Sequence, residues 1–432
     1  MPFHFVLLLA GTLLVVYVSH FFHELGHVVV CRWNGYLVTS FGLGFGKPLL
    51  ALTVCGTRLY FCRSRLLFGL TVWFPESIYP TRTQKVCGLA GGIVFQGVLA
   101  LACFTLYKLL AWGAFLWLLA GIVNAFEAAI NLVPIEAKVG HVKLRSDGAL
   151  ILDVLLNKHE DAYSAKVLQR LQGMLGHFEA IGDHTGRYLY LLAAAAIWSE
   201  LGDAEYAESL CVQAEAVPIK HRPFTRAYGA LLQATVAQAA QKPDVCLARL
   251  AEADTAFQEM RHEVGLWLVQ YARTGLTPEG DCKVLGEIAR LSSHAFVARE
   301  PAMRSAVLIL RAAAAASLPP EGPVHELAEE YRAARRSYPS LIYDLQFYKN
   351  MGRCFLRRQE WSQAEDCYRQ ALEAARELAA GFASESDRER FLTRQTALFT
   401  EIPIAFPEDR RARIMECLEA LRHEPARTDP AS

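Results

Sequence analysis

Three apolar stretches in the first third of the chain limit its fold more than any other feature. They are Phe3 to Val30, Val86 to Tyr107 and Leu109 to Val133; the first holds one acid, Glu24, the second no charge, and the third only Glu127. A helix rises 1.5 Å per residue, so the first stretch alone would reach roughly 40 Å, enough to cross a bilayer. A cleavable leader fits it poorly, because no basic segment precedes the run and no small-x-small site follows. Lys108 alone separates the second and third runs, which predicts a tight antiparallel helix pair turning at that lysine. Gly88 and Gly92 have the spacing of close helix contacts in membranes.

The polarity of the rest is different. Of 432 residues 53% are hydrophobic, above the soluble range of about 45–50%, and the excess lies before about residue 134. A membrane core followed by a water-exposed helical region is therefore expected. The 44 basic and 44 acidic residues cancel, so no basic face invites nucleic acid. Eleven scattered cysteines without a CxxC pair read as reduced thiols. Between the first two apolar runs, Arg32, Lys47, Arg58, Arg63, Arg65, Arg82 and Lys85 face a single acid, Glu76. The positive-inside rule puts this loop in the cytoplasm, the N-terminus outside, and everything after Val133 back in the cytoplasm.

Inside the first run stands His23-Glu24-Leu25-Gly26-His27. Two imidazoles one helical turn apart can reach a single tetrahedral metal, and the adjacent carboxylate can take a proton from water beside it, which is the HExxH arrangement of zinc hydrolases. Ionisable groups are costly in hydrocarbon, so three of them in an apolar helix require partners or a function. His20 shares the face and reads as a neighbour. A catalytic zinc needs a third protein ligand. Asp147, in Ser146-Asp147-Gly148 just after Asn131-Leu132-Val133-Pro134, is the candidate, although Asp-Gly is also an ordinary turn pair. His141 competes for the position. Glu127 forms a polar stripe with Asn124 and Asn131, expected to face the protein interior or the active-site cavity.

Over about residues 15–155 the chain resembles the site-2 protease family of intramembrane zinc metalloproteases. Four stretches support the likeness: the HELGH helix, the glycine-rich segment Ser40 to Pro48, the strand Gly56 to Tyr60, and the paired Asn131/Pro134 and Asp147/Gly148 elements. The resemblance implies three transmembrane helices around one catalytic Zn2+ ion, with His23, His27 and Asp147 as ligands, Glu24 as catalytic base, and Asn131 holding substrate or oxyanion. This chain departs from the family in two places. Ile135 to Ser146 separate Asn-Pro from Asp-Gly, and Gly91-Gly92-Ile93-Val94-Phe95-Gln96 stands where a glycine-proline step followed by an asparagine is common.

Leu37 to Phe74 is rich in β-formers and turn glycines and is expected to form a small membrane-associated sheet. An exposed edge, near Leu59 to Phe61, would hold an unwound substrate by strand addition. From about residue 160, alanine-rich amphipathic helices alternate with polar breaks. Tyr348, Met351, Gly352, Phe355, Ala364, Tyr368 and Ala371 follow the tetratricopeptide (TPR) spacing, and Trp198, Gly202, Ala207 and Ala214 match a second copy.

The chain is thus read as mainly α: a metalloprotease core over 1–157, a cytoplasmic TPR-like α-solenoid over 158–422, and a disordered tail over 423–432. Its expected role is cleavage of membrane-spanning proteins, with the solenoid binding a substrate or cytoplasmic partner, in a multi-pass protein of the inner or plasma membrane. The competing reading is a catalytically silent membrane scaffold.

Overall fold

The computed structural model describes residues 2–110, 113–139, 142–156, 165–219, 222–276, 283–317, 324–382, 384–399, 402 and 406–422. The tail from residue 423 and His141 lie outside these. The first elements are α1 (Pro2–Trp33), β1 (Tyr36–Val54), β2 (Thr57–Pro75), α2 (Arg82–Leu109), α3 (Ala114–Leu132), β3 (Glu136–Val139), β4 (Val142–Arg145) and α4 (Asp147–Leu155). After them come α5 (Ala165–Ile181), α6 (His184–Glu200), α7 (Ala204–Glu215), α8 (Pro223–Ala239), α9 (Pro243–Glu259), α10 (Glu263–Thr274), α11 (Lys283–Ser292) and α12 (Ala295–Arg299). The last are α13 (Pro301–Ser317), α14 (Val324–Ser337), α15 (Leu341–Arg357), α16 (Trp361–Ala380), α17 (Glu385–Phe399) and α18 (Glu408–Arg422). Two compact units result: Met1–His159 with Gly173–Tyr188 and Val217–Lys220, and Glu160–Gln172 with Leu189–Ala216 and His221–Ser432.

In the first unit, Leu9–Trp33, Arg82–Leu109 and Ala114–Leu132 are long and apolar enough to cross a membrane. Their polarity is inverted relative to a soluble bundle. Leu13, Leu14, Val98, Leu101, Phe115 and Phe126 point outward, whereas Ser19, His23, Glu24, His27, Gln96, Asn124 and Glu127 are buried. In lipid this is the favourable distribution, because only the interior offers hydrogen-bond partners. The turn between the second and third helices is not at Lys108. That lysine continues α2, and α3 starts after Gly113 at φ +69°. Lysine favours helix, while glycine takes the left-handed conformation without steric cost.

β1 and β2 form a hairpin whose two-residue turn, Cys55-Gly56, has positive φ at both positions, 48° and 75°. Such turns match the twist of antiparallel strands. Both strands then double back. Ser40, Phe41, Gly42 and Leu43 each face two partners, one in residues 58–61 and one in 69–72. Residues 58–61 are in turn flanked by 50–53 on their other side. Leu59 to Phe61 are therefore interior and cannot be the open edge expected from the sequence; residues 69–73 pair only with the first half of β1 among the described residues.

The helical segment from Gly173 to Tyr188 packs on this sheet. Its His177 ring lies 5.0 Å from Phe45 and 5.1 Å from Tyr60 between ring centroids, Ile181 joins Tyr60 and Cys62 in one apolar cluster, and Arg58 Nε donates to Ile181 O at 2.7 Å. Burial pushes the His177 pKa down to about 4.

The second unit is helical throughout its described residues. Trp198, Ala207 and Ala214 are buried, as are Tyr348, Met351, Gly352, Phe355, Ala364, Tyr368 and Ala371 on the packed pair α15 and α16. Several helix ends close in one way, by a bond from the residue after the turn to a carbonyl five back: Asp203 to Trp198 at 3.0 Å, Lys242 to Ala237 at 2.9 Å, His262 to Phe257 at 2.9 Å and Glu360 to Phe355 at 3.0 Å. The residue between has positive φ and is Gly202, Gln241, Arg261 or Gln359. This is the Schellman closure, which satisfies carbonyls left over at a helix end.

Candidate metal centre

His23 and His27 share one face of α1 because four residues make about one helical turn. Asp147 reaches them from the first turn of α4, whose N-cap Ser146 accepts from Ala149 N at 3.2 Å. The twelve residues that separate Asn-Pro from Asp-Gly do not move it away. They fold as the β3–β4 hairpin, closed at its base by Ser146 N donating to Ile135 O at 2.9 Å and Ile135 N donating to Ser146 Oγ at 3.0 Å. Ser146 Oγ also donates to Val133 O at 2.6 Å. The chain leaves and re-enters at one point, so Asp147 follows α3 in space almost as if the insertion were absent. Gly148 makes the approach possible: a Cβ there would lie 2.0 Å from Leu132 O.

Among the described residues, His23, His27 and Asp147 form the group able to hold a metal ion, with ligand atoms within 4.8 Å of one another. The contacts are tighter than that bound. His23 Nε2 and His27 Nε2 are 3.1 Å apart, and Asp147 Oδ2 lies 3.1 Å from the first and 3.2 Å from the second. A tetrahedral ion bound at about 2.0–2.1 Å spaces its ligands roughly 3.3–3.4 Å apart, so the triangle has nearly the right size. The far ring nitrogens decide what the near ones present. His27 Nδ1 lies 2.9 Å from Gly88 O and His23 Nδ1 lies 3.0 Å from Gln96 Oε1. Each carbonyl calls for a proton on Nδ1, which leaves Nε2 as a bare lone pair. Three acceptors then converge on one point, an arrangement that repels itself unless a cation lies between them.

The other expected residues surround this triangle. Glu24 is buried, and its Oε2 accepts from Thr71 Oγ1 at 2.5 Å. Asn131 Nδ2 lies 3.5 Å from both His23 Nδ1 and Gln96 Oε1. His20 stands apart from the triangle and pairs with Glu127 at 2.7 Å. Gly92, singled out for helix packing, has a more specific role. A Cβ on it would lie 2.5 Å from His23 Cε1 and 2.6 Å from His27 Nε2, so α2 passes against both imidazoles only because no side chain is there.

Residues 11–139 match the family model of Peptidase family M50. This M50 match covers the first span from residue 11, the whole of the other two spans, the β1–β2 sheet and the HELGH motif, and it agrees with the site-2 protease resemblance of the sequence. It ends before Asp147, whose place beside the histidines rests on the geometry above. No curated protein and no solved structure matches the chain.

Sequence reasoning did not find Thr71, Ser19 or Trp73, whose ring centroid is 5.6 Å from that of His27. Ser19 had a local signal, since it precedes His23 by four residues on the same helical face. Thr71 and Trp73 had none, because the folding of β2 brings them to α1.

Proposed function

We infer that the chain is a zinc metalloendopeptidase of the site-2 protease type that hydrolyses peptide bonds of membrane-spanning proteins. The observation behind this reading is the convergence of His23 Nε2, His27 Nε2 and Asp147 Oδ2 at 3.1–3.2 Å, with both imidazoles oriented from behind. These three would hold the zinc. When bound, zinc supplies Lewis acidity towards water and the scissile carbonyl. Glu24, adjacent to His23 in the chain and steadied by the Thr71 hydroxyl, accepts the proton of the attacking water and returns it to the leaving amine. Asn131 offers a side-chain amide donor beside His23 for substrate or oxyanion.

A substrate helix must unwind before a peptide bond can enter. Residues 69–73 offer a strand edge to the extended chain, and Thr71 within that segment touches Glu24. We assign strand addition to this edge. The helical pairs of the second unit are read as a TPR-like solenoid that binds a cytoplasmic partner or substrate tail, with orientation set by the basic loop of residues 32–85.

The test compares wild type with Glu24→Gln on a membrane-anchored reporter while zinc content is measured in both. Cleavage by wild type alone, at equal zinc content, is expected. Cleavage by both forms would refute the role of Glu24, and tight zinc binding with no cleavage by either would favour the scaffold.

A further inference from the structure

We propose that Glu127 is a positioning residue for the metal centre, acting through Gln96 to fix the tautomer in which His23 presents Nε2. The proposal rests on the metalloprotease reading above.

The two histidines are oriented by different means. His27 Nδ1 faces the main-chain oxygen of Gly88, an acceptor that cannot turn over. His23 Nδ1 faces a side-chain amide, that of Gln96, which is fully buried. An amide has a carbonyl end and an NH2 end of nearly equal shape, and either can be placed against an imidazole nitrogen. With the carbonyl forward, Nδ1 carries the proton and Nε2 is free to ligate. With the NH2 forward, Nδ1 becomes the acceptor and the proton moves to Nε2, against the metal. Something must break the symmetry.

Glu127 does so. Its Oε2 lies 2.6 Å from Gln96 Nε2, and a carboxylate oxygen there accepts from the NH2 end, so the carbonyl end turns to His23. The carboxylate is itself fixed on both oxygens. Ser19 Oγ lies 2.5 Å from Oε2, and His20 Nδ1 lies 2.7 Å from Oε1. Asn124 lies beside this cluster, with Oδ1 2.8 Å from Ser19 Oγ and Nδ2 donating to Ala120 O. A glutamate in an apolar helix is costly without such partners, and here they connect it to one metal ligand through a single amide. Gln96 occupies the segment where the sequence departs from the family's usual pattern, and Glu127 belongs to no motif of the resemblance.

The experiment measures zinc affinity of the full-length chain in detergent by chelator competition, the visible spectrum of the cobalt-loaded protein, and the melting temperature of the metal-free protein. Variants are Gln96→Leu, Glu127→Leu, Glu127→Gln and the double leucine variant. Removing an outer partner of a ligating histidine weakens metal binding by about 10–100-fold, and that loss is expected for Gln96→Leu. Glu127→Leu is expected to lose about tenfold with an altered cobalt spectrum, whereas Glu127→Gln, which keeps one carbonyl acceptor but is itself an amide that can turn either way, is expected to fall between wild type and Glu127→Leu. Because both residues act through one amide, the double variant should bind no more weakly than Gln96→Leu alone. Wild-type affinity in Glu127→Leu, or single losses that multiply in the double variant, would overturn the proposal. So would a drop in melting temperature with affinity and spectrum unchanged, which is the mark of a purely structural glutamate. If wild type binds zinc but cleaves nothing, the protease reading falls and the relay is still decided by affinity; if wild type binds no zinc, both fall.

Discussion

Replacing Gly92 by alanine tests the metal centre without touching a ligand. The added Cβ would lie 2.5 Å from His23 Cε1 and 2.6 Å from both His23 Nδ1 and His27 Nε2. Carbon contacts normally settle at about 3.5–4.0 Å, so each of these is short by about 1 Å. The neighbours are two ring systems already fixed from behind by Gln96 and Gly88, so relief requires the rings to part or α1 to move away from α2. Overpacking of this kind costs about 1–3 kcal/mol. If relaxation comes from parting the imidazoles, the same energy is lost from metal binding, a drop of about 5- to 150-fold at 1.4 kcal/mol per tenfold. Gly97→Ala is the matched control, since a Cβ at Gly97 on the same helix meets nothing within 4 Å. Chelator competition on both purified variants gives the answer. Wild-type zinc affinity in Gly92→Ala would refute the geometry of the site, and an equal loss in Gly97→Ala would trace the effect to α2 rather than to the imidazoles.

Three further outcomes follow from the structure. Thr71→Val removes the hydroxyl that donates to Glu24 Oε2 at 2.5 Å; kcat should fall by about tenfold or more with zinc content unchanged, and unaltered turnover would show that Glu24 is positioned by other contacts. His177, buried against Phe45 and Tyr60 with its pKa down at about 4, resists protonation in the fold while the unfolded chain accepts a proton near pH 6.5. The folded pKa is the lower one, so stability is complete above about pH 6.5 and declines by up to about 3 kcal/mol as pH falls towards 4; His177→Leu should flatten the melting profile in that window, and an unchanged profile would remove His177 from the account. Finally, joining Ile135 to Ser146 through a two-residue turn in place of the β3–β4 hairpin should leave zinc affinity within about threefold, because their backbone bond at 2.9 Å already closes the excursion. A loss above about tenfold would mean that the hairpin itself positions Asp147.

The sequence by itself determined the three apolar helices, because length and hydropathy suffice to place a span. It also determined the pairing of His23, Glu24 and His27, because one helical turn brings residues four apart together whatever the surroundings. The buried alanines and aromatics of α15 and α16 were legible for the same local reason. Other features were decided only in three dimensions. Lys108 marked the turn in the sequence, but the chain turns near Gly113, where the backbone enters the left-handed region. Leu59 to Phe61 had the composition of an open strand, yet β1 covers them on both sides and leaves residues 69–73 as the edge. The breaks at Gln241, Arg261 and Gln359 carry no glycine, so the Schellman closures there had no signal at the left-handed position. Asp147 became a partner of the histidines because a hairpin cancels its distance along the chain, and Gln96, Glu127 and Thr71 met the site through contacts between helices and a folded sheet. Periodicity and hydropathy act over a few residues and can be read in order. Long-range contacts depend on where separate elements come to rest, which no local pattern specifies.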